Sequence, residues 1–316
     1  MSVVCFGEAL IDFLSDGGTP ESFTKYAGGA PANVSVAVAK QGVESTFCGM
    51  LGDDMFGHFL KDELSGHQVN TQFVKFTSEA KTALAFVSLD SEGERSFSFY
   101  RPPAADLLFR AEDFEDNMFE QGTILHVCSN SLTEKNIYLS TVTALEKAKQ
   151  HGLIKSFDMN LRENLWPSKN HCLDRIWHIM SQSDVVKLSK EELIFLNTHA
   201  HPSKDEQNTI EAILSSQVKL LIITDGANDI RYFTAQFSGY ITPPKVNAVD
   251  TTAGGDAFVG GLLADMTRKL SQTSFMDIVS CEAKILDLLN FSAKCGAYAV
   301  TRYGSFSSLP SHHDID

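Results

Sequence analysis

An α/β fold is predicted, in three layers: helices on both faces of a mostly parallel central sheet, with a small β-sheet projecting from it as a lid. Three observations predict it. Strand-like and helix-like runs alternate along most of the 316 residues, the pattern of βαβ units. One stretch near residues 82–100 breaks that alternation with two adjoining strand-like runs. Apolar residues make up 43% of the chain, enough to fill the core of one large domain.

The elements follow in order. Residues 3–13 read as the first strand, with Asp12 at its carboxyl end. Residues 32–41 have helical period and stop at Gly42; 45–51 read as a strand and 57–64 as a short helix. Residues 82–89 and 94–100 form a hairpin pattern about a DSEG turn containing Gly93. On its second strand Arg95, Phe97, Phe99 and Arg101 share a face. Alternating arginine and phenylalanine suits a sheet that covers a ligand or partner better than a buried strand. Then come a strand at 123–129, a helix at 134–151, strands at 153–158 and 184–188, a helix at 190–197 and a strand at 219–224. Two long helices fill much of the remainder. Without repeat or linker, the chain reads as a single domain, 1–316, with lid segments at about 13–28 and 75–105. In such a sheet, ligands sit at the carboxyl ends of the strands.

Composition excludes several functions. A net charge of −14 argues against general binding to nucleic acid or an anionic membrane. No apolar run approaches the roughly 20 residues that span a bilayer. The N-terminal run lacks the basic start of a signal peptide. The six cysteines, Cys5, Cys48, Cys128, Cys172, Cys281 and Cys295, are scattered without a CxxC pair, which predicts reduced thiols and a cytoplasmic protein. There is no P-loop and no GxGxxG after the first strand. His199 and His201 lie in a polar run and are expected in solvent.

Two motifs carry chemistry. DTTAGGDAF at 250–258 joins a small-residue turn to a helix-like run. Backbone N–H groups at such a helix start lack intrahelical acceptors and sit at the positive end of the dipole, so they bind anions, phosphate above all. Asp256 adds negative charge there, which makes sense for a base that deprotonates a hydroxyl attacking phosphate. The second motif, GGAPAN at 28–33, pairs glycines that let a ligand approach the backbone with Asn33, which either caps a helix or bonds a polyol. GMLGDDMFG at 49–57 is a turn and cap or a further ligand loop.

These two motifs, in this order and separation, resemble the signatures of the ribokinase-like (PfkB) sugar kinases across essentially the whole chain. GEALIDF, GERSFSFYRPPAADLLF at 93–109 and FDMNLRENLW at 157–166 look most like the bacterial fructokinases of that family. The resemblance implies ATP-dependent phosphorylation of a sugar's primary hydroxyl. Asp256 would be the base, and the N–H groups of Ala253, Gly254, Gly255 and Asp256 the anion hole. Asp12, Gly28, Gly29, Asn33, Tyr100, Arg101 and Arg162 would hold the sugar, although Arg162 equally suits a salt bridge with Asp158. Lys187, Ser189, Thr224, Gly226 and Gly255 would meet the nucleotide, with Mg²⁺ linked to Glu192. Potassium would sit among Asp250, Thr252, Ala299, Arg302, Gly304 and Ser308. A homodimer through the lid is implied as well.

Three positions depart from the family's pattern. AGGD replaces GAGD, keeping the small residues. Ser189 stands where NxxE has asparagine. Asp229 replaces the second glycine of T-x-G-x-x-G in TDGAND. Fructose is the expected acceptor. A kinase of 2-keto-3-deoxygluconate, or of ribose or a riboside, fits the same motifs, and a non-catalytic sugar- or nucleotide-binding protein could share the fold.

Overall fold

The computed structural model describes residues 1–89, 95–200 and 205–315, with the backbone alone at 89, 95–97 and 200. The strands are β1 (Ser2–Phe6), β2 (Leu10–Ser15), β3 (Phe23–Gly28), β4 (Glu44–Gly52), β5 (Val74–Thr77), β6 (Leu84–Leu89), β7 (Arg95–Tyr100), β8 (Gly122–Cys128), β9 (Ile154–Asp158), β10 (Val185–Ser189), β11 (Leu220–Thr224), β12 (Ile230–Phe233) and β13 (Ser238–Ile241). The helices are α1 (Ala30–Lys40), α2 (Met55–Gly66), α3 (Asp116–Gln121), α4 (Lys135–Gln150), α5 (Lys169–Ser181), α6 (Lys190–Ala200), α7 (Glu206–Leu214), α8 (Gly254–Leu270), α9 (Phe275–Val279) and α10 (Glu282–Ala299).

The large sheet runs β13-β12-β11-β10-β9-β8-β1-β4-β5. Neighbours from β5 to β11 are parallel, and the β12–β13 hairpin closes one edge antiparallel. The strand order reverses at β1, which lies between β4 and β8. That reversal opens a crevice at the carboxyl ends of the strands. A strand's alternation sends side chains to opposite faces, and both faces here are apolar. Val3 and Cys5 of β1, with Leu220 and Ile222 of β11, join the core under α1, α8 and α10. Val4 and Phe6, with Leu221 and Ile223, join the core under α4, α5 and α7.

Helix α8 lies between α1 and α10, and its glycines allow the close approach. A Cβ on Gly260 would stand 2.2 Å from Cβ of Ala37 in α1, and one on Gly261 would stand 2.7 Å from Sγ of Cys295 in α10. The tight crossing fixes the N-terminus of α8, and with it Asp256, against the sheet.

The smaller sheet has the order β3-β2-β6-β7 and is the expected lid. Two expectations change. Residues 3–13 form two strands in two sheets, because the chain turns at Gly7, where a Cβ would meet Pro31 at 2.6 Å and Ser131 at 2.8 Å. Asp12 therefore lies within lid strand β2, paired to Tyr26 and Ala85, not at the end of a core strand. The segment expected as lid from residue 75 begins in the large sheet, since β5 pairs with β4. The expected turn about Gly93 lies outside the described residues, as do the side chains of Arg95 and Phe97 and the whole of His201. His199 is exposed, as expected, but in the last turn of α6, with its ring 4.9 Å from that of Phe195. The run at 49–57 is a cap: Asp54 accepts the N–H groups of Phe56 and Gly57 at the start of α2 and, with its other oxygen, that of Thr82. The cysteines are free thiols, buried apart from half-buried Cys281.

Candidate active site

The crevice gathers Asp256, Asn33, Asn160, Asp158, Lys187 and Glu192 from five separate segments. Asp256 lies in the first turn of α8 and is buried. The first bond of that helix runs from the Ala257 N–H to the Ala253 carbonyl, which leaves the N–H groups of Gly255 and Asp256 without intrahelical acceptors. Of the four amides expected as an anion hole, that of Gly254 already donates to the Thr251 carbonyl at 3.3 Å. A side chain at Gly254 would strike Val300 at 2.6 Å, so the turn needs its small residue. Lys187 brings positive charge to this helix start, 3.4 Å from where a Cβ on Gly255 would lie.

Asn33 does not cap α1. Gly29 occupies the cap position, and the Asn33 amide donates to Oδ2 of Asp256 at 2.7 Å. Its Oδ1 is buried without a partner, leaving an acceptor for a hydroxyl. Asn160, which the motifs did not single out, donates to the other oxygen of Asp256 at 3.3 Å. The one hint in the sequence was its place inside FDMNLR. Burial pushes the Asp256 carboxyl up to about 7; the Asn33 bond, Arg162 and Lys187 pull it down, while Asp158 pushes it up.

Asp158 ends β9 and pairs with Lys187 at 3.2 Å, so the suggested bridge from Asp158 to Arg162 does not form. Burial alone would lower Lys187, yet Asp158, Glu192 and Asp256 outweigh it and hold the ammonium up at about 12. Arg162 is exposed, donates to the Leu161 carbonyl, and projects its field on both Asp12 and Asp256. A cavity of about 690 Å³ is lined by Asn160, Arg162, Lys187, Ser189, Glu192 and, from the lid, Phe99.

Asp12 is buried at the lid's base. Its Oδ2 accepts from Ser305 at 3.3 Å, and a Cβ on Gly28 would lie 2.1 Å from that oxygen. Burial pushes Asp12 up to about 6, against Ser305 and Arg162, with Asp250 adding to the rise. Arg101 departs from the expectation. Its guanidinium is buried on Asp106 at 2.6 Å, on the Asn130 carbonyl and near Thr133. Glu8, which accepts from Asn130 at 3.0 Å, belongs to the same buried network. Tyr100 is 66% exposed and packs edge-on against Phe86.

Ser189 and Glu192 form a reciprocal cap on α6. The Ser189 N–H donates to Oε2 of Glu192 at 2.7 Å, and the Glu192 N–H to Oγ of Ser189. Oε1 of Glu192 accepts the Leu161 N–H at 2.7 Å. Each oxygen accepts one of these bonds and can accept another, and Glu192 lines the cavity, which fits a hydrated magnesium ion. Thr224 ends β11 beside β10, donating to the Leu188 carbonyl. Gly226 takes φ 54° in the turn that follows. Asp229 is held by the Thr242 hydroxyl at 2.6 Å. Asp250 is buried; its two oxygens accept the N–H groups of Thr252 and Gly304 and its own N–H donates to the Val300 carbonyl, which ties the segment after α10 to the motif. Hard oxygen donors beside a buried carboxylate fit a monovalent cation. Among the described residues no group of three or more His, Cys, Asp or Glu side chains is placed to hold a metal.

With this geometry in place, comparison with known proteins decides the family. The pfkB family of carbohydrate kinases matches over residues 1–312. This chain belongs to that family. It is similar to fructokinase-2 of Oryza sativa subsp. japonica, 41% identical over 98% of this chain and 91% of the relative. It also resembles the solved fructokinase of Xylella fastidiosa with bound ATP, at TM-score 0.94 and 44% identity, covering 99% of this chain and 96% of that one. A fructokinase double mutant from Vibrio cholerae O395, solved in fructose, ADP and potassium ion bound form, superposes at TM-score 0.87 and 34% identity over 99% of this chain and 96% of that one. The carbohydrate kinase thus shares its fold and full extent with enzymes of this class.

Proposed function

We propose that this kinase transfers the γ-phosphoryl group of ATP to a primary hydroxyl of fructose. The observation that carries the reading is Asp256: a buried carboxylate at the N-terminus of α8, facing the amide of Asn33 and flanked by Lys187. In the reaction, Asp256 takes the hydroxyl proton as the sugar oxygen bonds to the γ-phosphorus and the β–γ bridging P–O bond breaks. ADP leaves with that electron pair. The N–H groups at the start of α8 and the Lys187 ammonium stabilise charge on the phosphoryl oxygens. A base near 7 is matched to neutral pH. Asp12, Gly28 and Asn33 hold the sugar, and lid residue Phe99 limits water access. Magnesium, when bound near Glu192, neutralises phosphate charge. Potassium, if bound, would be held among Asp250, Thr252, Ala299, Arg302, Gly304 and Ser308 and would offset the Asp250 carboxylate.

The sugar is neutral in this reading. A carboxylated acceptor such as 2-keto-3-deoxygluconate would have Arg162 to pair with, but Arg101 is taken by Asp106, and buried Asp12 adds negative charge against it. The lid's edge strands β3 and β7 and exposed Phe23 and Tyr100 support a homodimer through the lid. The free thiols suit a reducing cytoplasm. ADP release measured with fructose, ribose, 2-keto-3-deoxygluconate and adenosine tests the acceptor. Fructose should give the highest kcat/KM; a preference for the carboxylated sugar would overturn the choice, and no turnover with any would point to a binding protein.

A further inference from the structure

We infer that Asn160 is a positioning residue for the base, held in a left-handed backbone so that its amide and that of Asn33 grip the two oxygens of Asp256 from opposite parts of the chain. The inference rests on Asp256 being the base. Asn160 has φ 38°, a region that asparagine tolerates but few other side chains enter. The backbone on either side is pinned. The Met159 N–H donates to the Lys187 carbonyl at 3.1 Å, and the Leu161 N–H to Oε1 of Glu192 at 2.7 Å. Between two such anchors the residue has little freedom, which is how a costly conformation persists. The outcome is an amide 3.3 Å from Oδ1 of Asp256, while Asn33 holds Oδ2 at 2.7 Å.

Two donors on two oxygens fix the carboxylate plane. Without the Asn160 amide, Asp256 could rotate toward Lys187, the nearest cation on β10, and turn its lone pairs from the sugar hydroxyl. Asn160 also lines the cavity shared with Lys187 and Glu192. The chain thereby ties the magnesium-side carboxylate Glu192, through Leu161 and Asn160, to the base. The other charged or titratable groups that face Asp256 are Asp158 at the end of β9, Arg162 in the following loop and Cys128 at the end of β8.

Asn160→Gly tests this, because glycine keeps the left-handed backbone while removing the amide. Kd values for ATP and fructose, measured by calorimetry, should stay within about threefold, while kcat falls by about 10–100-fold, the worth of a hydrogen bond to a charged group. The acid limb of the kcat/KM profile should move to higher pH by about half a unit or more, since a donor to the ionised form is lost. Asn160→Asp, which places a second carboxylate at the base, should move that limb further. Wild-type kcat in Asn160→Gly, or a lowered Tm with an unmoved acid limb, would overturn the inference. If the wild-type protein does not phosphorylate fructose, the functional reading fails separately. The Asp256 carboxyl can then be titrated by carbon NMR in the free protein. A midpoint raised in Asn160→Gly upholds the positioning role and an unmoved one refutes it.

Discussion

Replacing Asp256 by asparagine should damage turnover and make the fold's stability less sensitive to pH, and the two effects have one cause. Burial lifts this carboxyl from its ordinary 3.8 to about 7. A carboxyl raised in the folded state stays neutral there while the unfolded chain ionises. Its contribution to stability is therefore fully present below pH 4 and is lost as pH rises to 7. At one decade per 1.36 kcal/mol, the whole loss is about 4 kcal/mol, of which roughly 2–3 falls between pH 5 and 8. The substituted amide has no proton to lose. Its facing donors Asn33 and Asn160 will cost a constant amount, because an amide cannot accept from both as a carboxylate does, so the diagnostic is the slope. Urea unfolding at pH 5 and pH 8 should show the stability of Asp256→Asn relative to wild type rising by roughly 2–3 kcal/mol, or a few degrees in Tm. In the same variant kcat should fall by about 10²-fold or more with sugar and ATP binding retained. A parallel pH dependence in the two proteins would refute the buried, raised carboxyl, and a near-normal kcat would refute its role as base.

Gly28→Ala should raise the KM for sugar at least about tenfold, with a smaller change in kcat, because its Cβ would lie 2.1 Å from Oδ2 of Asp12; steady-state kinetics against fructose read this. Arg101→Met leaves Asp106 and Glu8 buried without their guanidinium and should cost about 3–5 kcal/mol in denaturant unfolding, whereas Arg162→Met, at an exposed site, should cost little stability and chiefly raise the sugar KM. Activity should be higher in potassium than in sodium or choline salts at equal ionic strength, and Asp250→Asn should abolish the difference. Equal rates in the wild-type protein would remove the cation from the account.

What the sequence revealed and what it hid divide along contact distance. DTTAGGDAF and GGAPAN are local patterns, and their small residues point to bare backbone at the start of α8 and near Asp12. Alternating apolar runs were enough for the parallel sheet. The partner of Asn33 lies 223 residues away, so its choice between cap and ligand was undecidable from the run itself. Asn160 was missed because neither its positive φ nor its aim at Asp256 leaves a mark in FDMNLR. The break after β1 was hidden because strand-like residues resume after Gly7 and Glu8 and run on into the lid, so one strand pattern served two sheets. Arg101 was expected to hold the sugar from the lid face, yet the chain folds back within five residues to bury it on Asp106.

The most direct test of phosphoryl transfer uses ATP labelled with ³²P at the γ-position, incubated with the wild-type protein, magnesium and fructose. The account predicts label in a fructose phosphate at a rate tracking ADP release, and very little inorganic phosphate when fructose is left out. Label appearing as inorganic phosphate at the same rate with or without sugar, or no transfer in either case, would contradict it.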